Sequence, residues 1–481
     1  MLFKSKKMCY NNTVGVQRLR ETAERREAMK QILRAAVVIG TLLVLCLCAM
    51  GCSLHLTASP DELYSLPKLP DEYTELDNCI QQLLDNGAEY AAPTSGTNVQ
   101  PVQLMDLDGD GQQEAIAFLR KSTDEKPLKI YIFAPQKDGY EQRAVIEGSG
   151  TAIYSIAYSD LDQDGKMELL VGWKVGTELQ ALTVYSLRGS EPEELMSSNY
   201  VKYAVTKLEG KKTQEIVVLH VDDEGNGVAD FYTWQKGAAL ERTSSARLSM
   251  TMAELNSGRV TKGALKDQSP ALFVTGVSDS GVEITDILAA RGDEIFNAVL
   301  SDVTGVSSEN YRFLSLYPTD INADGITEVP SPVSLPVRAG SDSEICYRID
   351  WQNYDADGVG TTVESTYHDT DDGWYLVMPD GWKGKIQISR TQSGVDEMAV
   401  TFSIRSSPTS PQDFLRIYTI TGNNREIRAV RGSRFILSRQ AETIYAAELL
   451  NANAGWEFGI SESDLRAAFN LIVKEWLPSD S

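Results

Sequence analysis

Three strings in this chain place oxygen donors at identical intervals: Asp106-Leu-Asp-Gly-Asp-Gly-Gln-Gln-Glu114, Asp160-Leu-Asp-Gln-Asp-Gly-Lys-Met-Glu168 and Asp320-Ile-Asn-Ala-Asp-Gly-Ile-Thr-Glu328. Each has a carboxylate or amide at the first, third and fifth places, Gly at the sixth and Glu at the ninth. Such side chains converge on one point when the backbone wraps an ion, and the Gly permits the sharp turn. The ninth-place acid closes the cage, with a backbone carbonyl from the seventh place. Hard oxygen donors in this number suit calcium. Protein fills every ligand place and no neighbouring base stands by, so the ion is expected to be structural.

An EF-hand shares the first half of this pattern but needs Glu at the twelfth place and a helix on each side. Here the twelfth place is Ala117 in the first copy and Val171 in the second. The flanking segments VQPVQLMD, EAIAFLRK, AIYSIAYSD and ELLVGWKV are short apolar runs rich in β-formers, so the loops are expected to join strands. Aligning the ninth place reveals two worn copies, Lys207 to Glu215 and Gly263 to Ala271. The five starts are separated by 54, 47, 56 and 57 residues, the mark of a repeat array. Lys207 and Lys211 stand at ligand places of the third copy, where an ammonium repels a divalent ion, and the fourth has lost most of its oxygens. Ions are expected in the first, second and fifth copies.

Two further strand patterns follow in each period, LKIYIFAPQ and YEQRAVIEG in the first and ALTVYSLRG and EELMSSN in the second. Four strands in roughly 50 residues is the size of a propeller blade. The loops in this context resemble the FG-GAP or VCBS-type repeats of integrin-like β-propellers, in which a D-x-D-x-D-G-x-x-[DE] loop holds calcium. The resemblance covers residues near 98–370. It implies Asp106, Asp108, Asp110 and Glu114, then Asp160, Asp162, Asp164 and Glu168, then Asp320, Asn322, Asp324 and Glu328 as ligands of a structural Ca2+. It implies a mainly β fold: a β-propeller-like array of about five four-stranded blades, either closed or open, followed by a small α+β domain. The out-of-phase string Asp222-Asp-Glu-Gly-Asn-Gly-Val-Ala-Asp230 reads mainly as a hairpin turn, although Asp222, Glu224, Asn226 and Asp230 fit the spacing loosely. Asn353 to Gly358 also reads as a turn.

At the N-terminus, residues 35–51 are apolar apart from Thr41 and end at Ala49-Met50-Gly51-Cys52. The run is short for a membrane-spanning helix. It resembles the lipobox of bacterial lipoproteins, with Ala49 where the family has Leu, and implies a signal peptide and a lipid on Cys52. A start at Met29 gives that signal an ordinary length. From Met1 it would be an uncleaved anchor with its basic end in the cytosol. Either way the body faces outward, on the extracytoplasmic side of the cell membrane. Pro60, Pro67 and Pro70 mark a tether, and Tyr73, Leu76, Ile80 and Leu83 predict a short helix stopped at Asn86-Gly87.

The whole chain of 481 residues carries a net charge of −23. Residues 1–51 hold nine Lys or Arg against three Glu, so the remainder carries −29, and a nucleic-acid partner is excluded by repulsion from phosphate. Beyond Cys52 only Cys79 and Cys346 remain, either paired or separate. There is no Cys/His metal spacing, G-x-S-x-G, H-E-x-x-H or phosphate loop, and no catalytic residue is expected.

From about Asp371 the period ends. Several strand patterns and a helix begun by Ser461 and Asp464, with Leu465, Ala468, Phe469, Ile472 and Trp476 on one stripe, predict an α+β domain over 371–481. Its opening resembles PsbP-like sandwich domains in pattern, without a site. Trp374 and Trp382 read as core aromatics rather than a sugar platform. The four segments are thus 1–51, 52–97, 98–370 and 371–481. The leading functional expectation is a membrane-anchored binding or scaffold module for a protein or glycan partner. The alternatives are a propeller-type glycoside-active enzyme, and an envelope sensor or assembly factor acting through the C-terminal domain.

Overall fold

In the second strand of the first four repeats, both faces of the backbone carry apolar side chains, which requires a neighbour on each side. The computed structural model shows where those neighbours come from. It describes residues 73–472 except 138, 178, 190, 236–238, 308–309, 337–344 and 407–409. The signal peptide, Cys52, the tether and Trp476 lie outside the described residues.

Helix α1 (Thr74–Asp85) buries Leu76 and Ile80 and ends at Gly87, whose φ of 86° suits a residue without a side chain. The first antiparallel sheet follows: β1 (Glu89–Tyr90), β2 (Val102–Met105), β3 (Glu114–Arg120), β4 (Leu128–Gln136) and β5 (Gly139–Gly148), with β1 and β2 both paired to β3. The second sheet holds β6 (Ala152–Ser159), β7 (Glu168–Lys174), β8 (Gln180–Ser186) and β9 (Glu193–Tyr200) in that order. The third repeats the pattern with β10 (Lys202–Thr206), β11 (Glu215–Val221), β12 (Gly227–Gln235) and β13 (Ala239–Arg247). After helix α2 (Met252–Ser257), the fourth holds β14 (Arg259–Ala264), β15 (Pro270–Val277), β16 (Glu283–Arg291) and β17 (Glu294–Asn297), with β18 (Tyr311–Arg312) added on β16.

The fifth sheet runs β19 (Val329–Ser334), β20 (Tyr347–Tyr354), β21 (Gly360–Asp369) and β22 (Trp374–Val377), closed by the C-terminal strand Phe469–Leu471. Its first position is reduced to the single bridge between Thr319 and Glu328. The sixth sheet comprises β23 (Ile386–Gly394), β24 (Glu397–Ile404), β25 (Gln412–Ile420), β26 (Phe435–Arg439) and β27 (Ile444–Leu449), with β27 between β25 and β26. Three helices accompany it, α3 (Arg425–Ala429), α4 (Asn451–Ala454) and α5 (Glu462–Ala468).

Consecutive sheets share cores. Ile116, Phe118 and Ile130 of the first sheet meet Leu169, Val171 and Trp173 of the second. Leu170, on the other face of β7, packs with Ile216 and Val218 of β11. Val217 and Leu219 in turn join Leu272 and Val274 of β15, and Ala271 and Phe273 join Val329 and Tyr354 of the fifth sheet. Alternation along one strand thus serves two successive sheets, the arrangement of stacked propeller blades. The fifth sheet packs on the sixth through Tyr367, Trp374, Leu376, Phe402 and Phe414.

Two boundaries differ from the sequence reading. The division expected at 370/371 falls inside the β21–β22 hairpin, because Trp374 and Leu376 are needed to cover the face shared with the sixth sheet. The final helix keeps its expected cap, Ser461 Oγ accepting from Asp464 N at 3.1 Å, but stops at Ala468. Phe469 then pairs with Leu376 as a strand, since the open edge of β22 supplies backbone partners that extend this sheet. Trp374 and Trp382 are fully buried in the shared core.

Candidate metal centre

The three acidic strings fold into one bonding pattern. Each joins the first and second strand positions of its sheet, so its ends are fixed by antiparallel pairing on both sides. The first-place Asp uses Oδ2 to accept the sixth-place Gly N–H at 3.0, 3.0 and 2.8 Å from Asp106, Asp160 and Asp320. Its Oδ1 accepts a second N–H, from Gly109, Asp164 and Asp324 respectively. The fifth-place Asp accepts the seventh-place N–H, from Gln112, Lys166 and Ile326. Gly111, Gly165 and Gly325 have φ of 85°, 91° and 85°, the left-handed conformation that the sixth place demands.

The ninth-place Glu has a second task that its spacing does not announce. Glu114, Glu168 and Glu328 each accept the backbone N–H of the second-place residue, Leu107, Leu161 and Ile321, at 2.8, 2.9 and 3.2 Å. Glu215 of the worn third copy does the same to Leu208 at 2.9 Å. This contact buries the carboxylate and latches the loop whether or not the loop has ligands to offer. Burial first, then backbone bonding and the loop carboxylates, sets the protonation: Glu168 and Glu328 are pushed up to about 7, and Glu114 is raised. An adjacent divalent ion would oppose this shift by favouring the ionised form.

The loops are also tied to one another. Met167 N donates to Leu107 O at 2.8 Å and Gln214 N to Leu161 O at 2.6 Å, so the eighth place of one copy bonds the second place of the copy before it. Thr327 N likewise reaches Ala264 O at 3.0 Å. The fourth connection spans only residues 265–269, shorter than its counterparts as well as poorer in oxygen. A rigid loop in this set therefore steadies the junction between sheets.

Carboxylate oxygens of Asp106, Asp108 and Glu114, and of Asp160, Asp162 and Glu168, lie within 4.8 Å of one another. In the fifth loop Glu328 is fully buried and its Oε1 has no hydrogen-bond partner. An oxygen-lined cradle with an unsatisfied buried carboxylate oxygen fits a hard cation. Three cations of the protein itself enter this picture, two of them unannounced. Arg143 Nη1 pairs with Asp108 at 3.2 Å, while its Nη2 donates to Leu187 O. Arg188 pairs with Asp162, Asp164 and Glu168. Lys211 pairs with Glu209 within the third loop, as its ligand-place position implies. The two arginines come from elsewhere in their sheets, beyond the reach of a local motif.

Another feature missed by spacing lies at the fourth place, where Gly109, Gln163, Gly210 and Ala323 all have left-handed φ, from 60° to 76°. The Gly in two of four copies was the available signal. The out-of-phase string is a hairpin turn, with Asp222 N donating to Asn226 O and Gly225 N to Asp222 O. Asp230 is turned away into β12, where His220, Arg242 and Ser245 bond it, so it does not join Asp222, Glu224 and Asn226. Asp355 to Val359 is likewise a turn between β20 and β21. Cys79 and Cys346 are not disulfide-bonded. A cavity of about 560 Å³ is bordered by Leu316, Tyr347, His368, Asp369 and Arg390. Its buried carboxylate Asp369 is bonded by Arg390.

A succession of four-stranded antiparallel sheets, sharing cores face to face and joined by latched acidic loops, defines a β-propeller-type repeat array. Residues 106–171, from the first ligand place of the first loop to the buried strand after the second, match the model of the FG-GAP-like repeat. Over that stretch the chain is similar to an FG-GAP-like repeat, set within a fold of the propeller type. Among solved structures it is similar to the crystal structure of the exotype rhamnogalacturonan lyase YesX, at 13% identity and a TM-score of 0.24, covering 67% of this chain and 71% of that one. No match is found among curated proteins. No helix among the described residues is long and apolar enough to cross a membrane.

Proposed function

We propose that this protein is an extracytoplasmic binding or scaffold module, held to the cell membrane through a lipid on Cys52, whose propeller blades are stiffened by calcium and present a surface to a protein or glycan partner. The observation that carries the calcium reading is the fifth loop. There no Lys or Arg among the described residues pairs with Asp320, Asp324 or Glu328, and Glu328 Oε1 is buried and unpartnered. Bound calcium would supply fixed positive charge and nothing reactive, and Asp320 and Glu328 would tie it to the paired positions on either side of the loop. Extracellular calcium modules bind at about 10⁻⁴ to 10⁻³ M, so such loops would rigidify on export. The anchoring reading rests on the Ala49 to Cys52 string and the basic residues before it.

The test is thermal melting of the full chain in about 2 mM calcium, a few times that affinity, and in chelator. Calcium should raise the midpoint, Asp324→Ala should reduce the rise, and Lys207→Ala should leave it intact. Equal loss in both variants would reject the division into live and worn loops, and no calcium effect in the unsubstituted chain would reject the metal. Mass analysis of the membrane fraction tests the lipid on Cys52, and pull-down from intact cells tests partner binding.

A further inference from the structure

The second loop has the same full set of carboxylates as the first, three Asp and one Glu, yet it is the loop that the protein itself fills. Arg188, just after β8, sets Nη2 2.5 Å from Asp162 Oδ2 and 3.1 Å from Glu168 Oε1, with Nε 2.9 Å from Asp164 Oδ2. These are the third-, fifth- and ninth-place donors. Calcium needs such oxygens at 2.3–2.6 Å from a common centre, so the guanidinium occupies the space an ion would take. The Arg188 charge would also repel a divalent ion placed beside it.

The other two acidic loops are different. In the first, Arg143 touches Asp108 alone and spends its other Nη on the Leu187 carbonyl. Asp106, Asp110 and Glu114 are left without an ion-pair partner among the described residues. In the fifth, no Lys or Arg among the described residues pairs with any of the four donors. The second loop is also the middle rung of the backbone ladder, bonded to the first through Met167 and to the third through Gln214.

We propose that the second loop is self-neutralised: Arg188 takes the place of calcium there, so the protein binds ions in its first and fifth loops while its middle rung stays closed without one. This rests on the calcium reading of the acidic loops. A built-in cation holds the junction between the first three sheets in the expected geometry before export, when calcium is scarce. The outer loops then respond to calcium against a frame already formed.

Calcium uptake by the full chain, measured by equilibrium dialysis with calcium as the probe, separates the possibilities. The unsubstituted chain should take up two ions, Asp162→Ala should still take up two, and Asp324→Ala should take up one. Arg188→Met should gain a third ion, bound at least about tenfold tighter than the same loop binds it with Arg188 present. Adding Asp162→Ala to Arg188→Met should remove that third ion. Arg188→Gln gives the same comparison if the Met variant does not fold. Loss of an ion from the unsubstituted chain on Asp162→Ala would overturn the proposal, as would Arg188→Met gaining none while Asp324→Ala still loses one. Absence of uptake in every variant would overturn the calcium reading together with it.

Discussion

Replacing Glu215 separates the latch from the metal, because the third loop keeps the first and has lost the second. Glu215 is 1% exposed, and its Oε2 accepts the Leu208 N–H at 2.9 Å while Oε1 has no partner. Glu215→Ala orphans a buried backbone donor, worth about 1–3 kcal/mol, and leaves a small void worth about 1 kcal/mol more. The sum, about 2–4 kcal/mol, corresponds to a rise of roughly 30-fold to 1000-fold in amide hydrogen exchange at Leu208, at about 1.4 kcal/mol per tenfold. Glu215→Gln keeps an acceptor for Leu208 and offers an amide N–H2 towards the neighbouring Glu209, so protection should be retained. Burial, then Glu209, pushes the Glu215 carboxyl up to about 7. The folded protein therefore holds this proton more tightly than the unfolded chain does. The Glu contribution to stability is full below about pH 4.5 and falls as pH rises through about 7. Glu215→Gln should accordingly gain on the unsubstituted protein across that window. Unchanged Leu208 exchange in Glu215→Ala, or equal damage from Ala and Gln, would refute the latch.

Two predictions concern charged groups away from the loops. His220 has a carbonyl on one side, Val221 O at 3.1 Å from Nδ1, and a carboxylate on the other, Asp230 Oδ2 at 2.9 Å from Nε2, so the doubly protonated ring satisfies both. The bond to Asp230 holds the imidazole above its ordinary pKa. Its contribution, about 1 kcal/mol, is fully present below about pH 6.5 and is lost as pH rises through the raised value. Urea titrations should show His220→Ala costing more at pH 6 than at pH 9, and a loss independent of pH would contradict the assignment. Arg312 and Glu283 form a fully buried pair at 2.7 Å that fastens β18 to β16. Arg312→Met should destabilise by about 3–5 kcal/mol by leaving Glu283 buried and unpaired, with much of this recovered on adding Glu283→Gln. A single substitution as mild as the double would show that the pair is not the fastening.

The repeat was legible because its parts are local. Strand, acidic loop and buried strand recur in step, and a buried strand between two sheets must be apolar on both faces, which ELLVGWKV and EIVVLH display. Helix α1 and the Ser461 cap were local in the same sense. The boundary near 371 and the fate of Phe469 were not. Both depend on which sheet has an uncovered face or an unpaired edge, and the residues that meet there lie far apart in the chain, Leu376 against Phe469.

The candidate site divides along the same line. Sequence spacing determined which oxygens approach each loop centre, since nine consecutive residues with Gly at the sixth have few ways to turn. Tertiary structure decided what those oxygens meet: a backbone N–H seven residues earlier for the ninth-place Glu, the guanidinium of Arg188 for the second loop, and no cation of the described protein for the fifth. A motif constrains geometry over a single turn of chain. Electrostatic balance at a point in space is summed over everything folded around it, and that sum exists only after the sheets have stacked.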